Sequence, residues 1–173
     1  EAAFLLDPRV FLVSLHEEGR WPHSGHTVWA PEHCVINISV PCQVNDTEYA
    51  YLFDSVVWPR ITSWKPEAVV IVCGGDALSG DPLSSMALSN GLMWKTVERL
   101  LSLVGAAIVL GGGGYNAWTV TRLWTGLWGR LSGQPTPQNL PSAALDVLKS
   151  LSCDLVDDED IEPAWLDRLD DKP

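Results

Sequence analysis

Two short apolar runs that end in glycine constrain this chain more than any other feature. Ala68 to Cys73 (AVVIVC) and Ala106 to Leu110 (AAIVL) are continuously apolar and β-branched in large part, the pattern of strands covered on both faces in a parallel sheet. Between them, after Ser89-Asn90, the segment GLMWKTVERLLSLV has helical spacing, and a second helix is predicted from about Ala117 to Leu131. Parallel strands need long crossovers, which these helices supply, so the order strand, helix, strand, helix predicts an α/β fold.

Upstream, Val10 to Leu15 (VFLVSL) and Cys34 to Val40 (CVINISV) have strand length and strand residues, with a loop between them marked by Gly19, Pro22, Gly25 and Pro31. From Asp46-Thr47, residues Tyr51, Leu52, Val56, Ile61 and Trp64 recur at helical spacing, and Pro59 should kink that helix. After Gly133 the chain turns Pro-rich, with Pro135, Pro137 and Pro141. A short helix is expected over Ser142 to Leu151, then an acidic end. The stretch reads as a surface extension without chemistry of its own. The expected division is therefore a catalytic-type portion over 1–132 and an acidic, Pro-containing extension over 133–173.

A chain of 173 residues supports one sizeable core. Its formal charge of -11 and the lack of a basic stripe argue against a nucleic-acid surface. Nine of the 22 acidic residues lie at or after Asp154, including Asp157 to Asp160, and such a run is usually solvated. Cys34, Cys42, Cys73 and Cys153 form no CxxC pair, and no apolar run is long enough to span a bilayer. Reduced thiols in a cytoplasmic protein are the expectation. The first residue, Glu1, with a strand-like run almost at once, suggests a piece of a longer chain.

Ligands of open α/β sheets gather at the carboxyl ends of strands, which directs attention to GGDALSGD and GGGGY. Asp76 could bind a metal, act as a base or cap a turn, and the residues leave all three open. The glycines at 111–114 suit an anion, a metal-bound substrate or a sharp turn, but lack the pattern of a P-loop or of GxGxxG. Tyr115 follows them; a phenol keeps its proton at neutral pH and can donate to an oxyanion, although core packing is an equal alternative. His23 and His26 are three apart in a Pro/Gly loop with no Cys or carboxylate at ligand spacing, and His16 follows the first strand. For these histidines a structural role is the simpler reading. Trp21 is one of nine tryptophans and could cap the core or wall a channel.

Jointly, VSLHEEGRWPHSG, CGGDALSGDPLSSMALS and GGGGYNAWTVTRLW resemble three ordered segments of the histone deacetylase superfamily. The resemblance is nearest to its bacterial acetoin-utilisation branch, whose C-terminus CDLVDDEDIEPAW resembles. It implies the C-terminal portion of a three-layer, arginase/deacetylase-like parallel sheet. It further implies Asp76 as a zinc ligand, Tyr115 as the hydroxyl that polarises the acyl carbonyl, Trp21 as a tunnel wall, Leu83 at the rim, and Gly113 and Gly114 on the tunnel floor. A structural monovalent cation, potassium, would take the Ser14 hydroxyl and the Leu15 carbonyl.

What the resemblance also implies is absent before Val10: an Asp-x-His segment with the other zinc ligands, and a tandem His pair with the general base. Pro82 stands where some eukaryotic members carry an arginine that helps bind inositol phosphate. The implied activity is zinc-dependent removal of acetyl groups from protein lysines, with iron as a competing metal. The implied partner is the N-terminal half of the domain, without which this chain is expected to be inactive. An acetylpolyamine or another small acyl-amine as substrate, and a non-catalytic binding or scaffold role, are the competing readings.

Overall fold

The computed structural model describes residues 2–23, 28–30, 34–137 and 139–171. Three strands form one sheet: β1 (Leu12–Glu17), β2 (Val28–Ala30) and β3 (Val35–Val40), in the order β1-β3-β2. β1 and β3 are parallel, and β2 is antiparallel to β3. The first predicted strand is displaced by two residues because its pairing starts where the Leu12 N–H donates to the Cys34 carbonyl at 2.8 Å. It then runs as far as Glu17, opposite the end of β3 at Val40. β2 lies inside the stretch expected to be a loop; three residues carry too little periodicity to stand out.

The helix expected from residue 46 is built as α1 (Asp46–Leu52), one π-helical turn (Phe53–Val57) and α2 (Trp58–Trp64). Pro59 has no N–H to give to the preceding turn, and the chain widens just before it. Asn45 caps α1 reciprocally. Its side chain accepts from the Thr47 and Glu48 N–H groups, and the Glu48 carboxylate accepts from its own N–H, an arrangement that contributes about 1 kcal/mol. Asp46 is thereby free to accept from the N–H and hydroxyl of Ser89, at 2.8 and 2.6 Å, which fastens α1 to the start of the next helix.

β4 (Ala68–Cys73) and β5 (Ala106–Gly111) pair in parallel as a second sheet, linked by α3 (Asn90–Leu101) and followed by α4 (Ala117–Leu131). α3 and α4 pack closely: a Cβ on Gly126 would collide with the Trp94 ring, and the Trp94 indole N–H donates to the Leu123 carbonyl at 2.8 Å. The main core gathers Val40, Val44, Cys73, Leu78, Leu88, Trp94 and Leu123. The opposite face of the β4–β5 pair is open, with Val70, Val72, Ile108 and Leu110 exposed side by side.

The stretch expected to be a surface extension packs on α4. After α5 (Ser142–Ser150), Trp165 stacks on Trp118, whose indole N–H donates to the Leu148 carbonyl. Asp171 accepts from the buried Arg122 guanidinium at 2.6 Å and from the Asn90 N–H at 3.0 Å, so the end of the chain bridges α3 and α4. The run Asp157–Asp160 is exposed, as expected of solvated carboxylates. Among the described residues no helix is long and apolar enough to cross a membrane.

Candidate active site

The two glycine-terminated strands deliver their loops to the same place. Asp76 sits in a 3-10 turn (Gly75–Ala77) directly after β4, and the loop beyond it is pinned at its base by bonds between Ser79 and Leu88 and between Leu88 and Ala77. The Gly75 N–H donates to the Gly113 carbonyl at 2.6 Å, main chain to main chain. Side chains would prevent this: a Cβ on Gly113 or on Gly74 would collide with the Asp76 carboxylate, and Gly114 adopts φ +136° against Gly75. The glycines therefore serve as a cradle for one carboxylate. Burial raises the Asp76 carboxyl above its ordinary range; its own backbone N–H opposes that, and the charge of Asp81 adds to it.

Tyr115 follows the cradle and is 43% exposed. Its N–H donates to Asp81 Oδ2 at 2.7 Å, and its carbonyl accepts from the Cys153 thiol at 3.2 Å. The next residue, buried Asn116, caps α4 by accepting from the Trp118 and Thr119 N–H groups, and its amide donates to the Gly80 carbonyl at 2.8 Å. Leu83 is 49% exposed, and its N–H donates to Asp81 Oδ1 at 2.9 Å. Asp76, Leu83, Gly113, Gly114 and Tyr115 are thus carried on two adjoining loops.

Ser14 and Leu15 are carried on β1, and Trp21 follows it. Ser14 and Leu15 pair with Asn37 and Ile38 across the other sheet, and Ser14 Oγ lies 2.9 Å from His16 Nδ1. Trp21 lies in the turn after β1 with 86% of its surface exposed. Glu17 and Arg20, which pair at 2.9 Å, reach across to the loop beyond Asp76: the Glu17 carboxylate accepts from the Ser85 N–H (2.7 Å) and the Ser84 hydroxyl (3.0 Å), and the Arg20 guanidinium donates to the Ser85 hydroxyl (2.5 Å). Burial by itself would raise Glu17, but the bonds from Arg20, Ser85 and Ser84 together hold it below its ordinary range. His23 Nδ1 is 3.0 Å from the Gly19 carbonyl, consistent with a structural role, and His26 lies outside the described residues.

Sequence reasoning missed Asp81 and Asn116. A signal existed for each: Asp before Pro marks a turn, and Asn before an apolar helix marks an N-cap. As a metal site the arrangement is partial. Among the described residues no three His, Cys, Asp or Glu side chains come together as a cage; Asp76 fits one corner, because a cation beside it would offset the cost of burying its charge.

Fold and loops together define an α/β protein with a carboxylate and a phenol presented at the carboxyl ends of neighbouring parallel strands. Residues 1–131 match the family model of the histone deacetylase domain, and the chain belongs to that family. It is 33% identical over 150 residues to putative histone deacetylase 2 of Caenorhabditis elegans, covering 84% of this chain and 30% of that protein. It is 32% identical to histone deacetylase clr6 of Schizosaccharomyces pombe, covering 82% and 36%. The crystal structure of a deacetylase homologue from Aquifex aeolicus superposes with a TM-score of 0.87 at 30% identity, over 99% of this chain and 48% of that one. The chain therefore spans about a third of these curated relatives and about half of that solved structure.

Proposed function

We propose that this chain forms one side of the active site of a zinc-dependent deacetylase, with Asp76 as a metal ligand and Tyr115 as the donor to the acyl oxygen. The observation that carries the reading is the junction of the two loops, where the Gly75–Gly113 bond sets the Asp76 carboxylate beside the loop that ends in Tyr115. When bound, zinc supplies a Lewis acid for the acyl carbonyl and lowers the pKa of the attacking water. Tyr115 donates a hydrogen bond to the oxygen as it gains charge, an effect worth on the order of 3 kcal/mol in the barrier. Leu83 and Trp21, both exposed, line the path of the acyl chain, and Gly113 and Gly114 form its floor, where their lack of side chains lets the main chain pack against Asp76 and Gly75. The Ser14 hydroxyl and the Leu15 carbonyl hold the monovalent cation, potassium, as hard oxygen ligands do.

The remaining zinc ligands and the general base come from the rest of a longer domain. The coverage supports this: the chain spans 48% of the Aquifex aeolicus structure. The same missing portion covers Val70, Val72, Ile108 and Leu110, since parallel sheets are buried on both faces. Membership of the acetoin-utilisation branch is part of the proposal and rests on the resemblance of CDLVDDEDIEPAW to the C-terminus of that branch.

Acetyl-lysine on a protein is the proposed substrate. The test is acetate release by the zinc-loaded protein that contains this chain, from an acetyl-lysine peptide and from an acetylpolyamine. Faster release from the peptide is expected. Release from the polyamine alone would reassign the substrate, and release from neither with zinc bound would refute the reading.

A further inference from the structure

Asp81 is a buried carboxylate beside the site, 6% exposed, to which the proposed chemistry gives no role. Its two oxygens are divided between two residues. Oδ1 accepts from the Leu83 N–H at 2.9 Å, which closes its own turn; Oδ2 accepts from the Tyr115 N–H at 2.7 Å, across 34 residues. The adjacent residues are bonded in the same direction with side chain and main chain exchanged, Asn116 Nδ2 donating to the Gly80 carbonyl at 2.8 Å. Gly80–Asp81 and Tyr115–Asn116 are therefore clamped by two adjacent bonds, and the Trp165 ring fills the space where a Cβ on Gly80 would go.

We infer that Asp81 is a positioning residue, which fixes the main chain of Tyr115 against the Asp76 loop and so sets where the phenol stands, while the same carboxylate seats Leu83 at the rim. The inference rests on the reading of Tyr115 as the donor. A carboxylate suits the task because it is acceptor-only and its bonds to N–H groups are charge-assisted. An amide does not, since its NH2 would face one of the two N–H donors. Asn116 and Trp165 hold the same loops independently, so a change at Asp81 alters the placement of Tyr115 before it alters the fold.

The test is a double-mutant cycle in the zinc-loaded protein that contains this chain, using Asp81→Asn, Tyr115→Phe and the pair, with kcat, KM and zinc content read for each. Asp81→Asn is expected to lower kcat about tenfold to a hundredfold, the range that small misplacements produce, with zinc retained. In the Tyr115→Phe background the same change is expected to cost no more than about threefold, because two residues acting through one group are not additive. Independent, multiplying losses, an unchanged kcat, or loss of zinc together with activity would each overturn the inference while leaving the deacetylase reading intact. An inactive wild type, or full activity in Tyr115→Phe, would overturn both. If Asp81→Asn does not fold, Asp81→Ser, which keeps one acceptor and adds no amide, goes through the same cycle with the same criteria.

Discussion

β3 and β5 are similarly apolar in sequence and opposite in environment. Val35, Ile36 and Val40 of β3 are 1–3% exposed, between two neighbouring strands and beside the core, whereas Ile108 and Leu110 of β5 are 56% and 46% exposed. Parallel sheets are usually buried on both faces, and the apolar side chains of the β4–β5 pair suit a second covering layer. The same contrast holds at the site. The β4–β5 loops are cross-bonded at Gly75–Gly113, Gly80–Asn116 and Asp81–Tyr115, while the β1 side reaches them through Glu17 and Arg20 at Ser84 and Ser85.

Charges placed on the two strand faces break or sharpen that comparison. Val35→Asp should destabilise the complete protein most, by on the order of 4 kcal/mol, since it puts a carboxylate at a position that is 1% exposed. Val72→Asp should cost nearly as much, about 3 kcal/mol, if its face is covered in the whole domain. Chemical denaturation measures both, and a change within about 0.5 kcal/mol for Val72→Asp would mean that the face is solvated there too.

Next in size is the cradle. Gly113→Ala places a Cβ against the Asp76 carboxylate and should weaken zinc binding about tenfold to a hundredfold; unchanged affinity in a chelator competition would remove the glycines from the site. Smallest is the Glu17 link, where Glu17→Gln should cost about 1 kcal/mol. Because the folded Glu17 titrates below its ordinary value of 4.5, its contribution is fully present above that pH and is lost as the pH falls through the depressed folded value. The Gln variant should therefore show a shallower loss of stability on acidification, and parallel wild-type and Gln curves would exclude Glu17 as the link.

Much of the β4-to-α4 half was legible because its periods are long and its punctuation is strong. β4 and α4 fall where apolar runs and glycines predict them, and α3 starts at Asn90 after the Ser89 cap. β2 was not legible, and β1 shifted, because their extent depends on pairing with β3 more than on local pattern. How the extension after 133 is held was not legible for a similar reason: Trp165 and Asp171 are anchored by Trp118, Arg122 and Asn90, which are distant in sequence. Asp76 and Tyr115 could be singled out as candidates from the strand ends and the family resemblance, and the fold carries them on two adjoining loops. The carboxylate that joins Tyr115 to the neighbouring loop became visible only with the hydrogen bonds of the folded chain.

The central claim is that Asp76 holds the metal and Tyr115 does not. Zinc content and turnover, measured together on Asp76→Ala and Tyr115→Phe in the protein that contains this chain, test it most directly. The account predicts loss of zinc and of activity in Asp76→Ala, and retained zinc with turnover reduced about a hundredfold to a thousandfold in Tyr115→Phe. Equal zinc in wild type and Asp76→Ala would contradict it.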